Sequence, residues 1–209
     1  MRRPFRPYLS FHKSGPPLNR GAGRRPLPFL FLLTDDRRLP HPEAALASMP
    51  AGSAVIFRHY GAPDRAALAR HLARLCRKQG VIFLVAGDLR LAWTVGADGV
   101  HFPEYLIRRA PHACKAWQAT GRLITAAAHS EAAVLQAARF GVDAVLLSPV
   151  FPTASHPEAA PLGLLRLAAV CRTSPVPVYA LGGVRWSSLR RLENTGAAGV
   201  AGISLLKNS

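Results

Sequence analysis

The chain has little of several things, and each shortage narrows what it does. Its longest uninterrupted apolar run near the start, Phe29-Leu30-Phe31-Leu32-Leu33 after Pro28, is far too short to span a bilayer, and no small-residue cleavage pattern follows it. Neither a membrane protein nor a secreted one is expected, and the reading is cytoplasmic. Cysteine is scarce: Cys76, Cys114 and Cys171 are an odd number, far apart and without metal-ligand spacing. That excludes a disulfide framework and leaves reduced thiols as small core residues. Acidic residues are few, 11 against 27 basic ones, and the formal net charge is +16. Yet lysine is nearly absent, with 4 against 23 arginines, and aromatic residues do not interleave with the basic ones as a nucleic-acid groove requires. The excess charge therefore reads as a solvated basic surface first, and as a partner for a small anionic substrate second; it argues against nucleic acid.

Part of that charge is segregated. Residues 1–27 hold Arg2, Arg3, Arg6, Lys13, Arg20, Arg24 and Arg25, no acid, and interspersed Gly, Pro and Ser, so they read as a disordered or loosely docked basic tail. Residues 28–209 then form one domain with ordinary hydrophobic content, 49% over the whole chain.

What is present in that domain is a repeat. Gly96-Ala97-Asp98-Gly99-Val100, Gly141-Val142-Asp143-Ala144-Val145 and Gly196-Ala197-Ala198-Gly199-Val200 each follow a helical pattern and open an apolar strand. Glycine ends the helix in the left-handed region, and the Val/Leu/Ile run that follows reads as a buried parallel strand. The repeats stand 45 and 55 residues apart, about two βα units each, which predicts a (β/α)8 barrel of the TIM type. Strands are expected at 29–33, 54–57, 81–85, about 100, 123–126, 144–147, 176–180 and 200–204. The chain stops almost at once after the last of these, so the final outer helix is expected to be shortened or missing. The segment Tyr8-Leu9-Ser10-Phe11, or a second copy in a homo-oligomer, is expected to cover the apolar surface this leaves.

In such a barrel the chemistry sits where strands end. Four histidines are expected there: His59, His101, His129 and His156. Imidazole titrates near neutrality, so such a cluster moves protons or binds a metal. No two of them are close in sequence and Glu104 is the one carboxylate at hand, which ranks acid/base use above a metal site, with His129 foremost. The loops Gly182-Gly183 and Gly202-Ile203-Ser204 present bare backbone amides on adjacent strands, a pattern for a terminal phosphate. Between them, Ser148-Pro149-Val150-Phe151-Pro152-Thr153-Ala154-Ser155-His156 is long, stiffened by proline and partly apolar, and reads as a wall or lid over a flat ring.

Several linked motifs, Gly-Ala-Asp-Gly-Val-His at 96–101, Ala-His-Ser at 128–130, Ser-Pro-Val-Phe-Pro-Thr at 148–153 and Ala-Leu-Gly-Gly-Val at 180–184, resemble one family in one order: thiamine-phosphate synthase and its TenI relatives, the thiazole tautomerases. The resemblance implies a thiazole phosphate as ligand, its phosphate on Gly182, Gly183, Ile203 and Ser204, and its body among Arg58, His101, Ser148, Phe151, Thr153 and His156. It also implies a choice of reaction. The synthase couples a pyrimidine pyrophosphate to the thiazole and holds magnesium with an Asn-Asp pair after strand 3 and an Asp after strand 4. Here those positions carry Ala86, Gly87 and Leu106, with Asp88 and Glu104 nearby. Of the family's Gln-x-Arg-x-Lys pattern at strand 2 only Arg58 survives, flanked by Ile56 and Tyr60, and His156 stands for a Lys. A leaving pyrophosphate needs metal and cations. The tautomerase needs neither cofactor nor metal, and it is similar to this chain in having the histidine of position 129, which relays a proton on the thiazole carboxylate phosphate. The expectation is therefore a TenI-like tautomerase with His129 as acid/base. The alternatives are the magnesium-dependent synthase, with Arg58 and Arg90 grounding the pyrophosphate, and a non-catalytic binding member.

Overall fold

A computed structural model describes residues 26–107, 109, 111–153 and 158–203. The expected tail contact through 8–11, the loop position of His156, the phosphate position of Ser204 and the fate of the last outer helix lie outside them. Eight parallel strands close into a barrel in sequence order: β1 Leu30–Leu33, β2 Ala54–Phe57, β3 Ile82–Ala86, β4 Gly99–Phe102, β5 Leu123–Ala128, β6 Ala144–Leu147, β7 Val178–Ala180 and β8 Gly199–Gly202, with β8 pairing back to β1. Between them run α1 Glu43–Ala47, α2 Arg65–Gln79, α3 Leu89–Thr94, α4 Glu104–Ile107, α5 Pro111–Gln118, α6 Glu131–Arg139, α7 Gly163–Thr173 and α8 Leu189–Leu192. None of these helices is long and apolar enough to cross a membrane.

Strand boundaries move by no more than two residues from expectation, and for local reasons. Strand β7 begins at Val178 rather than 176, after Pro177, which has no N–H for the ladder; its carbonyl still accepts from Val145. Helix α2 starts where Asp64 accepts from the N–H of Ala67 and ends at Gly80 in the left-handed conformation; α6 starts at Ser130, whose hydroxyl accepts from Ala133.

Period-two alternation divides the strand residues between two cores. Phe31, Leu33, Ala54, Ile56, Leu84, Ala86, Ala144, Leu146, Tyr179 and Ala201 fill the barrel interior. Leu30, Leu32, Val55, Phe57, Phe83, Val85, Val100, Val145, Leu147, Val178 and Val200 face the helices, where the buried thiols of Cys76 and Cys114 also sit. Burial pushes the Cys76 thiol up to about 12, so it is an inert packing group. The same alternation, continued past each strand end, decides which side chains reach the mouth. Two residues beyond interior Ile56 comes Arg58, beyond Leu146 comes Ser148, beyond Tyr179 comes Leu181 and beyond Ala201 comes Ile203.

Candidate active site

At the carboxyl ends of the strands lies an open cleft of about 690 Å³. Of the residues expected there, Arg58, His101, His129, Ser148, Thr153, Gly182 and Ile203 line it. Phe151 and Gly183 do not. Phe151 packs half-buried on the helix-side core, with the Arg191 guanidinium 5.3 Å over its ring. Gly183 lies beneath it.

His59 is a correction to the expected histidine cluster. It is odd in parity to Arg58, so it turns outward, stacks parallel on Phe57 at 5.5 Å and is 3% exposed. Its Nδ1 lies 2.8 Å from the hydroxyl of Thr34. It belongs to the wall, and two histidines, His101 and His129, reach the cleft from the described residues.

These two differ in environment. His101 is buried on the interior face of β4, opposite Thr125 of β5, whose hydroxyl lies 2.9 Å from its Nδ1 and also reaches the Val100 carbonyl. Burial, and secondarily the positive charge of Arg58, hold its pKa down at about 3, so it is a neutral imidazole at ordinary pH. His129 is half-exposed. Its ring Nδ1 lies 2.7 Å from Glu104 Oε2, and the same oxygen accepts from its backbone N–H at 2.8 Å. A carboxylate only accepts, so Nδ1 carries the proton and Nε2 the lone pair. Glu104 sits at the start of α4, just past β4, and no sequence periodicity marks it as this partner.

At the opposite rim, Asp35 follows β1 and accepts from the N–H groups of Arg37 and Arg38 and from the Arg38 guanidinium. Burial alone would raise its pKa, but these donors outweigh it and hold the carboxyl below its usual range. Arg38, Tyr60 and Tyr105 line the cleft as well; sequence reading had not assigned them.

Gly182 and Gly183 both adopt positive φ, 86° and 65°. A Cβ on Gly182 would stand 2.8 Å from Pro149 Cα, and one on Gly183 would stand 2.7 Å from Phe151 Cβ and collide with the Pro152 carbonyl. Glycine is required because the loop after β6 crosses directly over the loop after β7. The crossing is sealed by Val150 N–H donating to Leu181 and Phe151 N–H donating to Gly182.

With this geometry in place, the comparisons are specific. A profile described as thiamine monophosphate synthase matches residues 30–206. The chain belongs to that family. A putative thiamine-phosphate synthase 2 of Aquifex aeolicus is 37% identical over 138 residues, covering 66% of this chain and 73% of that protein. A putative thiamine-phosphate synthase of Geobacter sulfurreducens is 33% identical over 186 residues, covering 85% of each. The chain spans about half the length of cyanobacterial relatives, 46% of a thiamine-phosphate synthase of Prochlorococcus marinus. Among solved structures, a thiamine phosphate pyrophosphorylase from Pyrococcus furiosus superposes with a TM-score of 0.67 at 28% identity, covering 84% of this chain and 85% of that one. The names of these relatives favour the synthase reading over the tautomerase reading.

The magnesium that the synthase reading implies finds a poor donor set. Both Asp88 oxygens are engaged, one capping α3 at Leu91 N–H and the other bonded to Arg65 at 2.9 Å. Glu104 Oε2 is committed to His129. The space around Gly87, where the resemblance puts an acid, is walled by hydrocarbon of Leu106, Tyr60 and Pro103 within 3.5–3.8 Å of a Cβ built there. Among the described residues no three His, Cys, Asp or Glu side chains gather to hold a metal ion. The described residues do not fit the ion.

Proposed function

We propose that this member of the thiamine monophosphate synthase family is an isomerase that moves a proton on the ring of a thiazole phosphate, with His129 as acid/base. The supporting observation is the His129–Glu104 pair: a half-exposed imidazole at the cleft, its tautomer fixed by a carboxylate at 2.7 Å, shaped for proton transfer. Gly182 and Ile203 line the same cleft, and their loop amides would take the phosphate. Nε2 of His129 removes a proton from the ring substituent and returns it to the neighbouring position; Glu104 steadies the imidazolium formed in between. His101, neutral, serves as a hydrogen-bonding wall rather than a charge. Bringing one substrate and one base together in fixed geometry contributes to the rate by removing the entropic cost of their encounter.

A second reading, coupling of a pyrimidine pyrophosphate to the thiazole phosphate, is favoured by the names of the relatives. One experiment separates them. The protein is incubated with the thiazole carboxylate phosphate in D2O, and separately with both synthase substrates and magnesium. Deuterium entering the ring system without formation of thiamine phosphate supports isomerisation; thiamine phosphate formation with no exchange overturns it.

A further inference from the structure

At the end of the barrel away from the cleft, the fold assembles a surface that residue order conceals. Trp93 in the last turn of α3, Trp117 in the last turn of α5 and Arg122 just before β5 come together there. The Arg122 guanidinium lies 4.7 Å over the Trp93 ring and 5.4 Å over that of Trp117, and the two indoles meet edge to face at 6.0 Å. Trp117 is buried, whereas Trp93 is 60% exposed. The Trp93 indole is thus held on one side by Arg122 and Trp117 and keeps an open surface toward solvent. A ring already held in place loses little freedom when a further ring stacks on it.

Arginines flank that indole. Arg90 stands three residues earlier on the same side of α3 and is exposed. On the neighbouring helix α2, Arg70, Arg74 and Arg77 follow the i, i+4, i+7 spacing of one face, are all exposed, and span about 10 Å of helix. Arg77 joins this stripe to the indole: its Nη2 would stand 3.8 Å from a Cβ on Gly96, whose N–H donates to the Trp93 carbonyl. Among the described residues, none of the ion pairs involves Arg70, Arg74, Arg77, Arg90 or Arg122. Nearby acids are turned to other tasks: Asp98 accepts from the N–H of Phe83, and Glu43 faces His71 at 3.7 Å.

Charge and shape select the partner. A second copy of this chain docked symmetrically on the surface would set arginine against arginine, which repel. A membrane surface takes several projecting apolar side chains, and among the described residues Trp93 is the one large exposed hydrophobic side chain here: Tyr60 and Tyr105 line the cleft, and Leu135 and Leu165 belong to α6 and α7. One flat ring flanked by guanidinium groups fits a nucleotide chain, which offers a base to stack and a phosphate beside it. The net charge of +16 adds a long-range attraction for such a polyanion. Aromatic and basic residues do not alternate along the chain; three helices of the barrel interleave them.

We propose that this face binds single-stranded nucleic acid, with one base stacked on Trp93 and the phosphates around it held by Arg90 and by the Arg70, Arg74 and Arg77 stripe of α2. Stacking and phosphate contacts distinguish bases weakly, so binding tolerates many sequences. The site lies outside the cleft and stands independently of the isomerase reading.

The test titrates the full chain by fluorescence anisotropy with two labelled probes: a twelve-nucleotide oligothymidylate and an abasic strand of the same length and charge. Wild type is expected to bind the oligothymidylate at least about fivefold more tightly, the worth of one stacked base. Equal affinity for the two strands overturns the proposal, and this comparison needs no variant to fold. Trp93→Ala is expected to erase the preference and Trp93→Phe to keep most of it, both with unchanged circular dichroism. In the Arg74→Gln, Arg77→Gln double variant the slope of log affinity against log salt is expected to become shallower by about 1.4, the worth of two phosphates on a single strand. Wild-type preference in Trp93→Ala together with a wild-type slope in the double variant overturns the proposal, since the basic residues of 1–27 then carry the binding. No binding of either strand at about 50 mM salt overturns it as well. So does capture by phosphatidylserine vesicles that Trp93→Ala abolishes while the oligothymidylate stays unbound, which would give the surface to a membrane.

Discussion

A single oxygen of Glu104 receives both the backbone N–H and the ring Nδ1–H of His129, at 2.8 and 2.7 Å. The residue is thus fixed in position and in tautomer by one neighbour. Replacing His129 with Gln keeps polarity and removes the titrating ring, so proton exchange on the ring is expected to fall by about 100-fold or more with phosphate-ligand affinity within a few fold. Glu104→Gln keeps an acceptor but loses the charge that supports an imidazolium, and is expected to cost about tenfold or more in kcat with little change in KM. Equal losses of affinity and rate in His129→Gln would assign that ring to binding.

His101 gives a pH signature. Its pKa is about 3 in the folded protein against an ordinary value near 6.5, mainly through burial. Above pH 6.5 it is neutral in both states and neutral for stability. As pH falls from there toward 3, the unfolded chain takes up a proton that the native state refuses, so stability declines, by at most about 1.4 kcal/mol per pH unit for one group. His101→Gln is expected to flatten that part of the melting-temperature profile. Parallel profiles for wild type and variant between pH 6.5 and 4 would contradict the assignment.

Much of this architecture is legible from residue order because glycine-led repeats and apolar runs obey the backbone rules of a βα barrel directly. Parity extends the legibility into the site: Arg58, His101, Ser148 and Ile203 are all on the interior register of their strands, and His59, one residue past Arg58, is not. What sequence order does not carry is contact between elements. Nothing in the string Pro103-Glu104-Tyr105 announces that Glu104 meets His129 of the next strand, and nothing in Asp35-Asp36-Arg37-Arg38 announces that Asp35 braces arginines from two strand ends. The same holds for Gly182 and Gly183, whose need for a missing side chain comes from the loop that crosses them rather than from their own turn alone.

Those glycines support a separate measurement. Alanine at Gly183 would have to tolerate φ of 65° and displace Phe151 and Pro152; alanine at Gly182 would press on Pro149. Either substitution is expected to lower stability by about 1–3 kcal/mol and to weaken binding of a phosphate ligand, because Ser148, Pro149 and Thr153 of the displaced loop line the cleft. Melting curves and phosphate-ester titrations on the two variants check both effects; unchanged ligand affinity in a destabilised variant would separate the loop from the site.

Chelation is a further check on the donor set around Asp88. With both of its oxygens bonded to Leu91 N–H and Arg65, and with Gly87 walled by Leu106, Tyr60 and Pro103, binding of the thiazole phosphate is expected to be the same in excess EDTA and in millimolar magnesium. A calorimetric affinity that rises with magnesium would show that the site recruits the ion through another arrangement.

The floor of the barrel depends on one buried hydroxyl. Tyr179 points inward from β7, meets Phe31 edge-on at 4.8 Å between ring centres, and donates its hydroxyl to the Pro28 carbonyl at 2.6 Å. That bond ties the chain entering β1 to the strand two places away round the barrel, and Phe29 in turn accepts from Val200 of β8. Burial raises the Tyr179 pKa well above its ordinary value, so the hydroxyl stays protonated and donating. Tyr179→Phe preserves the ring and strands a buried carbonyl without its donor, which costs about 1–3 kcal/mol. For a domain of this size that corresponds to a drop in Tm of about 2–12 °C. Because the bond lies at the end of the barrel away from the cleft, ligand affinity measured well below the transition is expected to match wild type; a matching Tm would mean that the Pro28 carbonyl finds another donor.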